Sequence, residues 1–166
     1  MKLKTCFVLL SAFVLLAWAG CNNLIYPVSE YTDDPVLVEY AAEVVKLVNM
    51  ERAKVGLSAL SSANAKLNKA ANIRVKETVV SFSHTRPNGK SCFTALSEVG
   101  LTTYKLAGEN IAAGQQTPSA VMAAWMNSPG HKENILRSQY TSIGVSVCKP
   151  KNSYYGIYWV QMFIGD

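Results

Sequence analysis

Apolar residues recur at helical spacing from about residue 35 onward. Leu37, Ala41, Val44, Val48 and Val55 form one stripe, interrupted by Arg52, and predict a helix over 35–55. Asp34 supplies an N-cap, Pro35 takes the first helical position and Gly56 stops the helix. Leu67, Ala70, Ala71 and Arg74 mark one face of a second helix over 62–79, where the alanines permit close approach of another element. Residues 79–82 drift towards an extended conformation, and Pro87-Asn88-Gly89 makes a turn. A short helix over 91–99 ends at Gly100. Residues 101–116 carry little helical pattern and read as a long connection, which compact domains often use for function. Thr117-Pro118 and Ser128-Pro129 each read as an N-cap followed by proline, and open two further helical stretches.

Near the end the helical period gives way to strict alternation. Ile143, Val145 and Val147 alternate with Gly144, Ser146 and Cys148, as in a half-buried strand. After a turn over 149–153, residues 154–164 are largely apolar in both alternating sets, which predicts a strand covered on both faces. Helices first and a hairpin last predict an α+β layered domain, with helices packed on a small antiparallel sheet.

Composition adds a compartment to this picture. The chain has 166 residues, 49% of them hydrophobic, which suits one domain with a substantial core. Lys2 and Lys4 precede an apolar run over 6–16, too short for a membrane span of about 20 residues, so residues 1–20 read as a signal peptide. Ala17-Trp18-Ala19 is a small-x-small site that would release a secreted protein before Gly20. Ala19-Gly20-Cys21 resembles the end of a bacterial lipobox, with Trp18 where leucine is usual; Cys21 would then carry lipid. Residues 21–35 become a tether and residues 36–166 the domain. The expectation is an exported monomer, held in the cell envelope as a lipoprotein whose only membrane contact is the lipidated Cys21, or else secreted.

Without Lys2 and Lys4 the net charge of +5 falls to about +3, ordinary for a soluble surface. Lys46, Arg52, Lys54, Lys66, Lys69, Arg74 and Lys76 interleave with apolar positions, which describes solvated helix faces rather than a nucleic-acid stripe. Beyond the leader and Cys21, two cysteines remain. Cys92 and Cys148 either close a disulfide, worth about 4 kcal/mol on the chain-entropy model, or stay as two buried thiols.

Candidate chemistry is confined to few residues. The two histidines are His84 and His131, and Glu109 stands between Gly108 and Asn110. The three side chains are expected to converge on one cleft. His131 follows Ser128-Pro129-Gly130 at a helix N-terminus, whose dipole disfavours the imidazolium, so it should be neutral near pH 7. Two neutral imidazoles and a carboxylate suit Zn²⁺ with open coordination left over; His84 and His131 are the first ligands to consider and Glu109 a third. The alternative is a buried hydrogen-bonded network. A catalytic reading would use Glu109 as general base on metal-bound water, or His131 to activate Ser128. No G-x-S-x-G or H-E-x-x-H motif supports it, and Ser128 reads as a helix cap, so the balance leans away from an enzyme. Asn49, Glu51 and Arg52 read as hydrogen-bonding partners of neighbouring loops.

These motifs add up to a family resemblance. Leu47 to Arg52, Phe82-Ser83-His84, Gly108-Glu109-Asn110-Ile111, Trp125 to His131 with Asn134-Ile135-Leu136, and Trp159 to Phe163 follow one another along nearly all of the chain from residue 37. The chain resembles the CAP superfamily (cysteine-rich secretory proteins, antigen 5, pathogenesis-related 1), in particular its bacterial SCP-like, YkwD-like branch. The resemblance implies an α–β–α sandwich with helices on both faces of a small antiparallel sheet. It also implies a cavity lined by two histidines and two acids. His84, Glu109 and His131 match three of these; Ser128 stands roughly where the second glutamate would be, so a two-carboxylate mechanism lacks its partner. The same resemblance suggests a small lipidic or sterol-like ligand, or an extracellular partner. A third role is a structural or adhesive surface domain that uses Tyr154 and Tyr155.

Overall fold

The computed structural model describes residues 34–166. The expected leader, both cleavage sites, Cys21 and nearly all of the tether lie outside the described residues. Helix α1 (Pro35–Lys54) begins as anticipated: Asp34 Oδ1 accepts from the Val36 amide at 2.9 Å, with Pro35 in the first turn. Leu37, Val44 and Val48 are buried on one face. Arg52 does not break that face but belongs to it, at 1% exposure. Its guanidinium donates to the carbonyls of Ser58 (2.8 Å), Ile135 (2.9 Å), Arg137 (2.9 Å) and Tyr140 (3.5 Å). Asn49 clamps both backbone groups of Leu60, whereas Glu51 pairs with Lys54 on its own helix.

Helix α2 (Ala65–Val80) starts three residues later than expected, because Asn64 is its cap; Asn64 Oδ1 accepts from the Leu67 amide at 3.1 Å. Helix α3 (Thr94–Glu98) is shorter than the pattern suggested. Strand β1 (Leu106–Ala113) replaces the expected long connection. The segment hides its nature: Gly108 to Ala112 are all buried, so no apolar/polar alternation shows, and two adjacent polar residues sit inside it. Helices α4 (Pro118–Met126) and α5 (Pro129–Leu136) follow, then strands β2 (Ser142–Cys148) and β3 (Tyr158–Gly165).

The sheet order is β1-β3-β2, antiparallel throughout. All eight residues of β3 are buried, as a central strand covered on both faces requires. Alternation then divides the core. Trp159 and Phe163 pack with Val44, Val48, Val121, Trp125 and Ile135 from α1, α4 and α5. Tyr158, Val160, Met162 and Ile164 pack with Leu67, Ala70, Ala71, Val75 and Leu96 from α2 and α3. The result is the expected three-layer sandwich with helices on both faces of a small sheet. Helix α2 comes so close to β2 that a Cβ on Gly144 would lie 2.7 Å from the Leu67 carbonyl oxygen.

The free edge of β1 is closed by side chains. Trp125 Nε1 donates to the Ile111 carbonyl and Asn134 Nδ2 to the Glu109 carbonyl, each at 3.3 Å. Strand edges left bare invite pairing with other chains, so α4 and α5 act as a cover here. Among the described residues no helix is long and apolar enough to cross a membrane.

Candidate functional site

Adjacent residues of β1 point to opposite sides of the sheet. Glu109, in register with Met162, meets α2; Asn110, in register with Gln161, meets α5. The site begins with this pair.

Glu109 is 5% exposed, and both of its carboxylate oxygens accept hydrogen bonds. Arg74 Nε donates to Oε2 at 2.7 Å and Nη2 to Oε1 at 3.3 Å. His84 Nδ1 lies 2.8 Å from Oε1, and the Cys92 sulfur lies close by, within 4.8 Å of the carboxylate. Burial alone would push the Glu109 carboxyl up; the hydrogen bonds from His84 and Arg74, with the Arg74 charge, outweigh it and hold it below its ordinary range. An ionised carboxylate only accepts, so Nδ1 of His84 carries the proton and Nε2 is left as the ring's acceptor nitrogen. The imidazole side chain is 57% exposed.

Arg74 itself is completely buried. It also donates to Glu77 at 2.5 Å and to the Ser83 carbonyl at 2.8 Å. Burial would lower its basicity, but the hydrogen bonds and charges of Glu109 and Glu77 raise it. Arg86 extends the chain of charges, reaching Glu77, Glu98 at 2.7 Å and Thr94 at 3.0 Å. The stretch bearing His84 is thereby fixed to α2 and α3.

His131, in the first turn of α5, is half-buried. Burial lowers its pKa first and the His84 charge lowers it further, so its tendency is towards the neutral form. Its carbonyl accepts from Asn110 Nδ2 at 3.1 Å; Asn110 in turn joins Gln161 and Asn134, each at 2.9 Å. This amide ladder sets α5 against β1. Ser128 stands at the N-cap position of α5, but its side chain makes no capping hydrogen bond, unlike Thr117 at α4. Among the described residues no hydrogen bond joins Ser128 to His131.

A cavity of about 480 Å³ opens over Glu109, lined among others by His84, Ser91, Cys92, Gly108, Asn134 and Tyr140. His131 and Ser128 are not part of that lining. A methyl group on Gly108 would collide with the Tyr140 hydroxyl, so the small residue is what lets Tyr140 close this wall. Among the described residues, one set of potential metal donors converges. Ligand atoms of His84, Cys92 and Glu109 lie within 4.8 Å of one another.

The expected Cys92–Cys148 bridge is not formed; both are buried free thiols. Cys92 faces Glu109, and its thiol is pushed up to about 11 by burial and then by the Glu109 charge. Cys148 donates to the Val75 carbonyl at 3.6 Å, and burial pushes it up to about 12. The two thiols thus lie in separate surroundings, Cys92 in the lining of the cavity and Cys148 in the core beneath α2.

Sequence reasoning did not place Arg74 or Cys92 beside Glu109 or Glu77 beside Arg74, nor foresee the ladder of Asn110, Asn134 and Gln161. Arg74 carried a signal: a cation in line with Leu67, Ala70 and Ala71 on a buried face needs a buried anion. Nothing local marks Cys92 as a neighbour of Glu109.

Residues 45–163 match the family model described as Cysteine-rich secretory protein family (CAP). The uncharacterized protein YkwD of Bacillus subtilis (strain 168) is 41% identical over 128 residues, covering 76% of this chain and 47% of that protein. The structure is similar to that of an extracellular protein containing a SCP domain from Bacillus anthracis str. Ames. There the TM-score is 0.69 at 26% identity, over 79% of this chain and 42% of the other. An outer surface protein of Borrelia burgdorferi shares the fold, with a TM-score of 0.68 at 22% identity, over 76% of this chain and 92% of that one. The chain spans less than half the length of YkwD and of the Bacillus anthracis protein.

Proposed function

The chain belongs to the cysteine-rich secretory protein (CAP) family, and from that premise we propose that it is an exported, lipid-anchored binding module whose cleft takes a divalent metal ion at His84. One observation carries the reading: an exposed imidazole is held through Nδ1 by a buried carboxylate, itself fixed by a buried arginine. Proteins orient metal-binding histidines in this way, one ring nitrogen hydrogen-bonded to a carboxylate and the imidazole presented for ligation. The donor chemistry fits a borderline ion such as Zn²⁺. His84 would hold it, with Glu109 as orienting group or further ligand and His131 as a second imidazole expected from the family tetrad. Bound there, the ion would supply a Lewis acid for a polar ligand atom entering the cavity.

A binding role is favoured over a hydrolytic one because Glu109 already accepts from Arg74 and His84. A general base needs a pKa near the working pH, and Glu109 is shifted the other way. Calorimetry with Zn²⁺ tests the site. Wild type should bind and His84→Ala should lose the heat signal; equal affinity in the two would reject the metal reading.

Export and anchoring rest on the leader, on the lipobox-like Ala19-Gly20-Cys21, and on relatives described as extracellular or outer-surface proteins. A small lipidic ligand or an extracellular partner is the class of molecule that such a module would meet. Expressed in a bacterial host, the wild type should fractionate with membranes and Cys21→Ser with the soluble material. A soluble wild type would favour cleavage before Gly20 and a secreted protein.

A further inference from the structure

We infer that Cys92 is a thiolate ligand of this cleft, so that the site takes thiophilic divalent ions through His84 and Cys92 together and discriminates against Mg²⁺ and Ca²⁺. The inference rests on the metal-binding reading above and adds the second ligand. Its basis is the loop between the two residues. The Cys92 amide donates to the His84 carbonyl at 3.1 Å, and Thr85 and Ser91 form an antiparallel bridge just inside them. The tip is tied as well: the Arg86 amide donates to the Lys90 carbonyl at 2.8 Å and the Gly89 amide to the Arg86 carbonyl at 2.8 Å. Gly89 has φ +79°, which a β-carbon would strain. The Arg86 side chain then anchors the loop to Glu77 and Glu98. A closed, anchored loop therefore places an imidazole and a thiol side by side at its neck, both lining the cavity.

His131 is not in the converging set among the described residues, whereas Cys92 is. Charge points the same way. Arg74 already balances Glu109, so the carboxylate offers little attraction to hard cations, which need several oxygen ligands. A thiolate and an imidazole suit Zn²⁺, Co²⁺ or Cd²⁺ instead. On binding, the S–H bond breaks and a metal–sulfur bond forms; the thiol proton leaves to solvent, and one positive charge of the ion is neutralised. Glu109 keeps its pairing with Arg74.

Cobalt substitution tests this on the reduced, metal-free mature chain carrying Cys21→Ser. Co²⁺ should give visible ligand-field bands and a near-ultraviolet thiolate-to-cobalt charge-transfer band. Cys92→Ser should lose the charge-transfer band, while His131→Ala and Cys148→Ser keep it. Zn²⁺ binding by the Cys92-containing protein should also release the thiol proton, read as a heat that depends on the buffer's ionisation enthalpy. That measurement, with the cobalt band, decides the matter even if Cys92→Ser does not fold. Ligand-field bands without the charge-transfer band, or a band that survives Cys92→Ser, would overturn the thiolate and leave the metal reading standing. No cobalt absorbance and no zinc heat would overturn both.

Discussion

Arg74→Met should lower the free energy of unfolding by about 3–5 kcal/mol, the cost of leaving one partner of a buried ion pair alone. Glu109 is buried against a completely buried Arg74, and the variant strands it with only His84 as a hydrogen-bond partner. Chemical denaturation measures the loss. Arg74→Met/Glu109→Leu should recover much of it, because removing both charges of a buried pair is often neutral or stabilising. Acidity supplies a second, independent readout. In wild type the Glu109 carboxyl titrates below its ordinary 4.5, so its contribution is fully present above that pH and is lost as pH falls through the folded-state value. In Arg74→Met the hydrogen bonds and charge of the arginine are gone while the burial penalty stays, so protonating Glu109 relieves the variant. The stability gap between the two proteins should therefore narrow as pH falls from 6 towards 4, over roughly the range in which an unpaired buried carboxyl takes up its proton. A gap that does not change with pH would show that Arg74 acts only through packing.

Arg52→Met should cost about 2–4 kcal/mol, for a different reason. No anion faces this guanidinium in the contacts that hold it; it donates to the carbonyls of Ser58, Ile135, Arg137 and Tyr140. Burial lowers its basicity, yet arginine keeps its proton even so. Removing it takes this donor from the carbonyls of the buried Ile135 and Tyr140, each loss costing about 1–3 kcal/mol unless water reaches them. Lysine should rescue little, since a single ammonium cannot span the fork of acceptors. Because three of the four carbonyls lie between Ile135 and Tyr140, hydrogen exchange should accelerate at the end of α5 and in the segment before β2. Unchanged exchange there would mean that other contacts hold this wall of the cavity.

Much of the architecture was legible because single-faced patterns announce themselves. The stripe of α1, the Asp34 and Thr117 caps with their prolines, and the doubly apolar β3 all carry local signals that packing then obeys. Strand β1 was not legible. It is covered on both sides, and its two polar residues serve opposite faces, which erases the alternation that marks a half-buried strand. Ser128 shows the converse: the Ser-Pro signal opens α5 at the expected place, but the side chain does not cap it.

The site was legible in parts for the same physical reason. His84 and Glu109 meet, as expected, while His131 sits on the α5 side and outside the lining of the cavity over Glu109. What the pattern could not show was the charge balance beneath them. Arg74 is one of several cations on a helix until its neighbours on that face are recognised as core. Cys92 depends on how a loop closes on itself, which is a matter of backbone hydrogen bonds rather than spacing.

The central claim is that Glu109, fixed by Arg74, orients His84 for binding. Nitrogen NMR of the imidazoles tests it most directly, because the chain has only two histidines and His131→Ala assigns the spectrum. Measured without metal, at a pH where both rings are neutral, His84 should carry its proton on Nδ1, leaving a pyridine-like Nε2; Zn²⁺ should then perturb the His84 nitrogens. A free neutral histidine prefers the opposite tautomer. Finding the proton on Nε2 of His84, with no response to Zn²⁺, would contradict the account.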